Sequence, residues 1–158
     1  MRTLANLLFD WPDRVASRYF AWIGPTMARL VVGVVFMQSG WGKLGNLPLV
    51  IKNFVDWGIP APQILAPFVS GVEFVGGVLL LLGLLTRFAG PALAITMAVA
   101  IRSALWDQVD SFGSLLGLDE MAYLALFAWL GVAGPGPVSL DHLVLRWYRG
   151  EAAASSAA

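Results

Sequence analysis

The chain contains no cysteine, and His142 is its single histidine among 158 residues. Without thiols it can form no disulfide, hold no cysteine-ligated iron–sulfur cluster, perform no thiol redox chemistry and attach no c-type haem. One histidine cannot supply a bis-histidine haem site. His142 also sits beside Asp141 with no spaced set of further ligands, so a metal centre is not expected. Charge is scarce as well. Asp, Glu, Lys and Arg make up 13% of the residues, against about 25% in a soluble domain. The net charge is +0 with no long basic run, which argues against nucleic acid as a partner. What is abundant is apolar: 58% hydrophobic, where roughly 45–50% is usual. A chain of this length makes one domain, and this composition points to a lipid bilayer as its solvent.

A bilayer core of about 30 Å needs roughly 20 helical residues. Four segments qualify, at about 26–46, 64–85, 88–106 and 119–135. Helices are expected because every backbone group must be paired in lipid. Pro25 stands near the start of the first segment, and Pro91 is expected in the first turn of the third, where its missing N–H costs little. "GPGP", Gly134 to Pro137, closes the fourth, and "LLTRF", Leu84 to Phe88, is a tight turn between the second and third. A soluble bundle with a greasy core is the alternative, but "GGVLLLLGLL" has no polar face to offer water. The expected fold is therefore all-α: a polytopic membrane protein with a four-transmembrane-helix bundle and short amphipathic N- and C-terminal interfacial helices. Residues 1–25 form an N-terminal interfacial segment, with a helix over Asp13 to Ile23. Residues 26–135 are the transmembrane domain, and 136–158 a cytoplasmic helix and tail. Ser139 is placed to cap that helix, which should run through Arg149. The tail "EAAASSAA" should be disordered.

Four spans put both termini and the turn at 86–88 on one side. That side holds Arg2, Arg14, Arg18, Arg87, Arg146 and Arg149. The other holds Lys43, Lys52 and Arg102 against five carboxylates. The excess of basic residues makes the first side cytoplasmic. Trp22 and Trp147 lie near that interface, and Trp41, Trp57 and Trp106 near the other, as in an aromatic belt.

The apolar segments carry a few ionisable groups. Arg29, Gly33, Phe36, Gly40 and Lys43 follow one another at spacings of four, three, four and three, a single stripe on one helix. Glycines in such a stripe let a second helix approach closely, so the charges at its ends should face the bundle. Gln38 lies on the opposite side. Glu73, near the middle of the second span, has Ser70, Gly76 and Gly77 around it, an inward face of small residues. Arg102, on the third span, has Ala94 and Ala98 behind it. Glu73 precedes Arg87 by 14 residues, Arg102 follows Phe88 by 14, and Glu120 precedes Gly134 by 14. At 1.5 Å per residue each lies about 21 Å from the cytoplasmic end of its helix. Lys43 should be about one turn higher. The expectation is one neutral layer of Lys43, Glu73, Arg102 and Glu120, with Glu73 and Arg102 paired directly or through water. An unpaired charge in a span costs about 2.5–3.5 kcal/mol even on permissive insertion scales. Such a layer can fix helix register, or it can line a cavity for a polar or amphipathic ligand reached from outside.

Three stretches resemble the DoxX family of membrane proteins. "RLVVGVVFMQSGWGKL" is similar to its opening helix, "VEFVGGVLLLLGLLTR" to its second helix, and "GPGPVSLD" to the motif that closes its last span. The likeness runs from Arg29 to about Asp141. It implies a four-helix membrane protein associated with respiratory and sulfur redox chemistry. Relatives include the small subunits of thiosulfate:quinone oxidoreductase. Two positions depart from the pattern. Ser39 stands where members often carry His, and Pro137 and Val138 stand where a basic and an aromatic residue are common.

The first functional expectation is a membrane subunit associated with a quinone-linked oxidoreductase of the bacterial inner membrane. The cofactor to look for is a non-covalent quinone, with no haem, iron–sulfur cluster or metal. Lys43, Arg102 and Gln38 could donate hydrogen bonds to its carbonyls, Glu73 or Glu120 could carry protons, and Tyr123 could assist. Among these, Glu73, Arg102 and Glu120 are the catalytic candidates, and Gln38, Lys43 and Tyr123 the cofactor-binding ones. Electrons would come from a redox protein partner. The second expectation is a non-enzymatic anchor, assembly or accessory subunit, favoured by the missing cysteines. A transporter is disfavoured by four short spans with neither a repeat nor a broken helix. The small-residue stripes serve packing within one bundle or in a homo-oligomer equally well.

Overall fold

The structure, a computed structural model, describes residues 22–155, with side-chain surroundings for 22–148. The helix expected over Asp13 to Ile23 lies almost wholly outside the described residues. Seven α-helices and no strand occur among those described. They are α1 (Ile23–Gly45), α2 (Leu47–Asp56), α3 (Pro62–Leu82), α4 (Thr86–Ala100), α5 (Phe112–Leu116), α6 (Asp119–Ala133) and α7 (Leu140–Ser155). A π-helical turn, Ile101–Leu105, and a 3₁₀ turn, Trp106–Gln108, prolong α4.

Small residues decide which helices touch. A Cβ built on Gly40 would lie 2.7 Å from the Phe74 Cα, and one on Gly77 would lie 2.8 Å from the Gly33 carbonyl oxygen and 2.9 Å from the Met37 Cα. The α1 and α3 backbones therefore meet over two turns, at the glycines the stripe on α1 singles out. On the far side, Gly90 lies against the Phe127 carbonyl and Gly131, and Gly131 against the Pro91 ring. This joins α4 to α6. Helix α4 begins at Thr86, so Pro91 lies inside it and not in its first turn. Its ring fills the groove beside Gly131. The α1–α3 and α4–α6 pairs share a core of Val32, Phe36, Leu80, Leu93, Phe127 and Leu130. Phe36 presents its ring edge-to-face to Tyr123 and Phe127, at centroid distances of 5.2 and 4.7 Å.

The turn between α3 and α4 is held from outside. Gly83 ends α3 at φ +64°, a conformation glycine adopts without strain. Asp141 at the start of α7 accepts hydrogen bonds from the Leu85 N–H (2.9 Å) and the Thr86 N–H (3.3 Å), while its own N–H donates to the Gly83 carbonyl (3.1 Å). It thereby serves the unpaired donors at the start of α4 from a distant part of the chain. The Ser139 hydroxyl accepts from the His142 N–H at 3.2 Å, the expected cap of α7. Helix α7 runs on past Arg149, and the tail expected to be disordered from Glu151 is helical through Ser155. Arg29, 2% exposed, donates from Nη2 to the Val138 carbonyl, tying α1 to the same motif. Asp141→Ala should therefore lower stability by about 1–2 kcal/mol, read as a lower midpoint in detergent unfolding, whereas Asp141→Asn, which keeps one acceptor, should lose less.

Among the described residues, two helical runs, Pro62–Leu82 and Thr86–Gln108, are long and apolar enough to cross a membrane. Helix α1 matches them at 23 residues but carries Arg29 and Lys43. Helix α6, at 15 residues, is shorter than the roughly 20 that a bilayer core asks of a helix. Two elements have no counterpart in the four-segment reading. These are α2, whose Val50 and Phe54 pack on Ala66 of α3, and the short α5.

Candidate functional site

Helices α3 and α4 are joined by the turn at Gly83 and Leu85 and pack on each other where Gly76 meets Leu93. A Cβ there would sit 3.0 Å from the Leu93 side chain. They pack on each other less closely than α3 packs on α1 and α4 on α6. A cavity of about 670 Å³ occupies the space between them. Val69 and Val72 of α3 line it on one side, and Thr96 and Ala100 of α4 on the other. Phe36, Ser39 and Lys43 of α1 and Glu120 and Tyr123 of α6 line it as well. Phe54 of α2, with Trp57 and Ile59 just after it, lines it too.

The walls are mostly apolar, and one ionic group interrupts them. Lys43 Nζ lies 2.6 Å from both carboxylate oxygens of Glu73, and the Ser39 hydroxyl donates to Glu73 Oε2 at 3.2 Å. The Glu73 side chain is 3% exposed and that of Lys43 40%. A carboxylate so enclosed is tolerated because it is paired and bonded three times. Three other polar groups on the walls already use their donors. Ser70 donates to the Ala66 carbonyl, Thr96 to that of Leu93 and Ser103 to that of Val99, at 2.7, 2.7 and 2.6 Å. Lys43, with three N–H groups and two oxygens to serve, keeps one donor for a ligand.

The structure thus corrects the pairing drawn from the sequence. Glu73 meets Lys43, not Arg102. Two physical reasons combine. The glycine contacts bring α1 against α3, so the stripe ending in Lys43 faces Glu73 directly. The π turn inserts an extra residue per turn at Ile101–Leu105. It brings Ser103, Ala104 and Leu105 in succession to the cavity wall. Arg102 is exposed, and its guanidinium lies over the Trp106 ring at 5.6 Å. Of the six residues singled out, Lys43, Glu73, Glu120 and Tyr123 line the cavity, while Arg102 and Gln38 do not. Gln38 is exposed on the other side of α1. The expected neutral layer of four is therefore a pair with Glu120 across the cavity. Ser39 was legible as a departure from the family pattern and from its position four residues before Lys43. Phe54, Trp57 and Ile59 carried no such signal. Among the described residues no three His, Asp or Glu side chains gather as a metal site would need.

The chain is similar to three proteins over most of its length. It is 27% identical to "Inner membrane protein YqjF" of Escherichia coli (strain K12), over 77% of this chain and 92% of that protein. It is 29% identical to "Putative oxidoreductase CatD" of Bacillus subtilis (strain 168), over 78% and 89%. It is 38% identical to "Uncharacterized membrane protein Rv3486" of Mycobacterium tuberculosis (strain ATCC 25618 / H37Rv), over 72% and 76%. No solved structure gives a significant match. The DoxX family model matches residues 24–106. That stretch holds the glycine-packed α1–α3 pair, Ser39, Lys43 and Glu73. The chain belongs to the DoxX family.

Proposed function

We propose that this protein is a four-span subunit of the bacterial inner membrane that binds a quinone for a quinone-linked oxidoreductase. The observation that carries the reading is the Lys43–Glu73 pair, bonded by Ser39, on the wall of an otherwise apolar cavity. Intramembrane charges are costly and generally mark a functional site. The names of YqjF and CatD, with the words inner membrane and oxidoreductase, support the location and the chemistry. In this arrangement α1, α3, α4 with its prolongation, and α6 cross the bilayer. Both termini are cytoplasmic and the cavity lies in the periplasmic half. Helix α6 can be short because Asp119 and Glu120 begin it at the interface.

A quinone supplies two-electron, two-proton redox chemistry when bound. Its carbonyl and ring fit an apolar slot with one free donor at its wall. Lys43 Nζ donates its remaining hydrogen to a ligand oxygen. Glu73 orients Lys43 and can exchange a proton with it. Glu120 and Tyr123 offer a second carboxylate and a phenol across the cavity. Electrons arrive from a partner protein, since the chain has neither a thiol nor a second imidazole. That same poverty of redox groups favours one other reading, a non-enzymatic anchor or accessory subunit.

Titration of the purified protein with a short-tailed, water-soluble benzoquinone separates the two. Trp57 lines the cavity, so a bound quinone should quench the part of the fluorescence that Trp57→Phe removes. Ser39→Ala and Lys43→Met should weaken that binding at least tenfold. An absence of saturable quenching in the wild type, with a redox partner still copurifying, would favour the accessory role. The topology has its own check. A reporter fused after Ala158 should be active only in the cytoplasm, and periplasmic activity would reverse the orientation.

A further inference from the structure

The cavity has an opening that the ion pair does not explain. Phe68, Ile95 and Val99 line it, yet they are 63%, 65% and 47% exposed. They stand on α3 and α4, on the side of the Gly76–Leu93 contact away from the turn, with the cavity between the two helices. A gap edged by Phe, Ile and Val would be no doorway for a polar solute from water. In a bilayer it opens sideways into acyl chains. The ionic pair stands on α1 and α3, and Phe54, Trp57 and Ile59 line the cavity as well. The cavity is therefore polar at its inner wall and apolar at its lateral mouth.

We infer that the gap between α3 and α4 is a lateral portal. The ligand is an amphiphile dissolved in the membrane that enters head first from the bilayer. Its hydrogen-bond-accepting head reaches Lys43, and its hydrocarbon tail remains between Phe68 on one side and Ile95 and Val99 on the other. This rests on the ligand-binding reading of the cavity and adds the route and the tail. A head group without a tail gains nothing from the portal. A tailed one fills it, and its passage must depend on the width of the gap.

The test uses the full-length protein in phosphatidylcholine nanodiscs and two probes with the same benzoquinone head, one with a decyl tail and one with a methyl group. Association is followed by stopped-flow quenching of the Trp57 component. The double variant Ile95→Phe, Val99→Phe narrows the mouth at exposed positions, where larger side chains can be accommodated toward lipid. It should slow association of both probes, since each head must pass the gap, and should raise the Kd of the decyl probe at least tenfold while leaving that of the methyl probe within twofold, since only the decyl tail stays in the mouth. Unchanged association rates, or equal changes in the two Kd values, would overturn the portal while leaving the cavity a ligand site. Failure of the wild type to bind either probe would remove the ligand reading and the portal with it. Nanodiscs of acyl-brominated phosphatidylcholine add a control on the occupant. Trp57 quenching by the brominated lipid that leaves the decyl probe no further saturable quenching would mean that a phospholipid chain fills the cavity, which also overturns the proposal.

Discussion

Lys43→Met should destabilise the protein by about 3–5 kcal/mol, the usual cost of removing one partner of a buried ion pair. Glu73→Gln should cost less. The asymmetry follows from exposure. Without Lys43, the Glu73 carboxylate remains where only 3% of its side chain is accessible, with the Ser39 hydroxyl as its remaining partner. Without Glu73, the ammonium of Lys43 can turn outward, because 40% of that side chain is already accessible. The double variant should be less damaged than the sum of the two, since neither charge is left alone. Unfolding in mixed detergent micelles measures all three. Simple additivity would mean that the two groups are not coupled. Arg102→Gln provides the contrast. Its side chain stacks on Trp106 at the surface, and its loss should cost no more than about 1 kcal/mol.

The second large effect is expected at the α1–α3 contact. Gly40→Ala and Gly77→Ala each add one carbon where the Phe74 Cα would lie 2.7 Å away and the Met37 Cα 2.9 Å. The obstacle is backbone, which cannot rotate aside, so the helices must separate. Each substitution should lower stability by about 1–3 kcal/mol, and Leu at either position by more. The same shift would lengthen the Lys43–Glu73 contact, so quinone binding should weaken in parallel. Gly42→Ala and Gly71→Ala are the controls on the same two helices. An added Cβ meets nothing within 4 Å at either site, and alanine favours a helix over glycine by about 1 kcal/mol. These two variants should be neutral or stabilised. If all four behave alike in detergent unfolding, close backbone approach is not what holds α1 to α3.

Some of this architecture could be read before any coordinates. The all-helical fold and its apolar helices follow from composition and periodicity, because a chain in lipid must pair its backbone within each segment. The inward stripe of α1 followed too, since Gly33, Gly40 and Lys43 repeat at helical spacing and a helix carries its own angular order. The same reasoning put Glu73 on a small-residue face and Ser139 at the start of α7. It failed where two helices had to be related to each other. Distance from a shared turn says nothing of the direction in which Glu73 and Arg102 point. Arg102 turned outward because a π turn changed the local period, and nothing in "AIRSALW" announces that change.

The sequence by itself determined an all-helical, apolar chain with a few ionisable groups inside its apolar segments, and it marked the glycines where helices would close on each other. Only the tertiary structure decided that Lys43 is the partner of Glu73 and that a cavity lies between α3 and α4, lined also by Phe54 of α2. The physical reason is that periodicity is a property of one helix, encoded by neighbours three and four residues apart. A pair, a cavity or a portal is a property of several helices, and depends on the volumes of side chains that meet from distant parts of the chain.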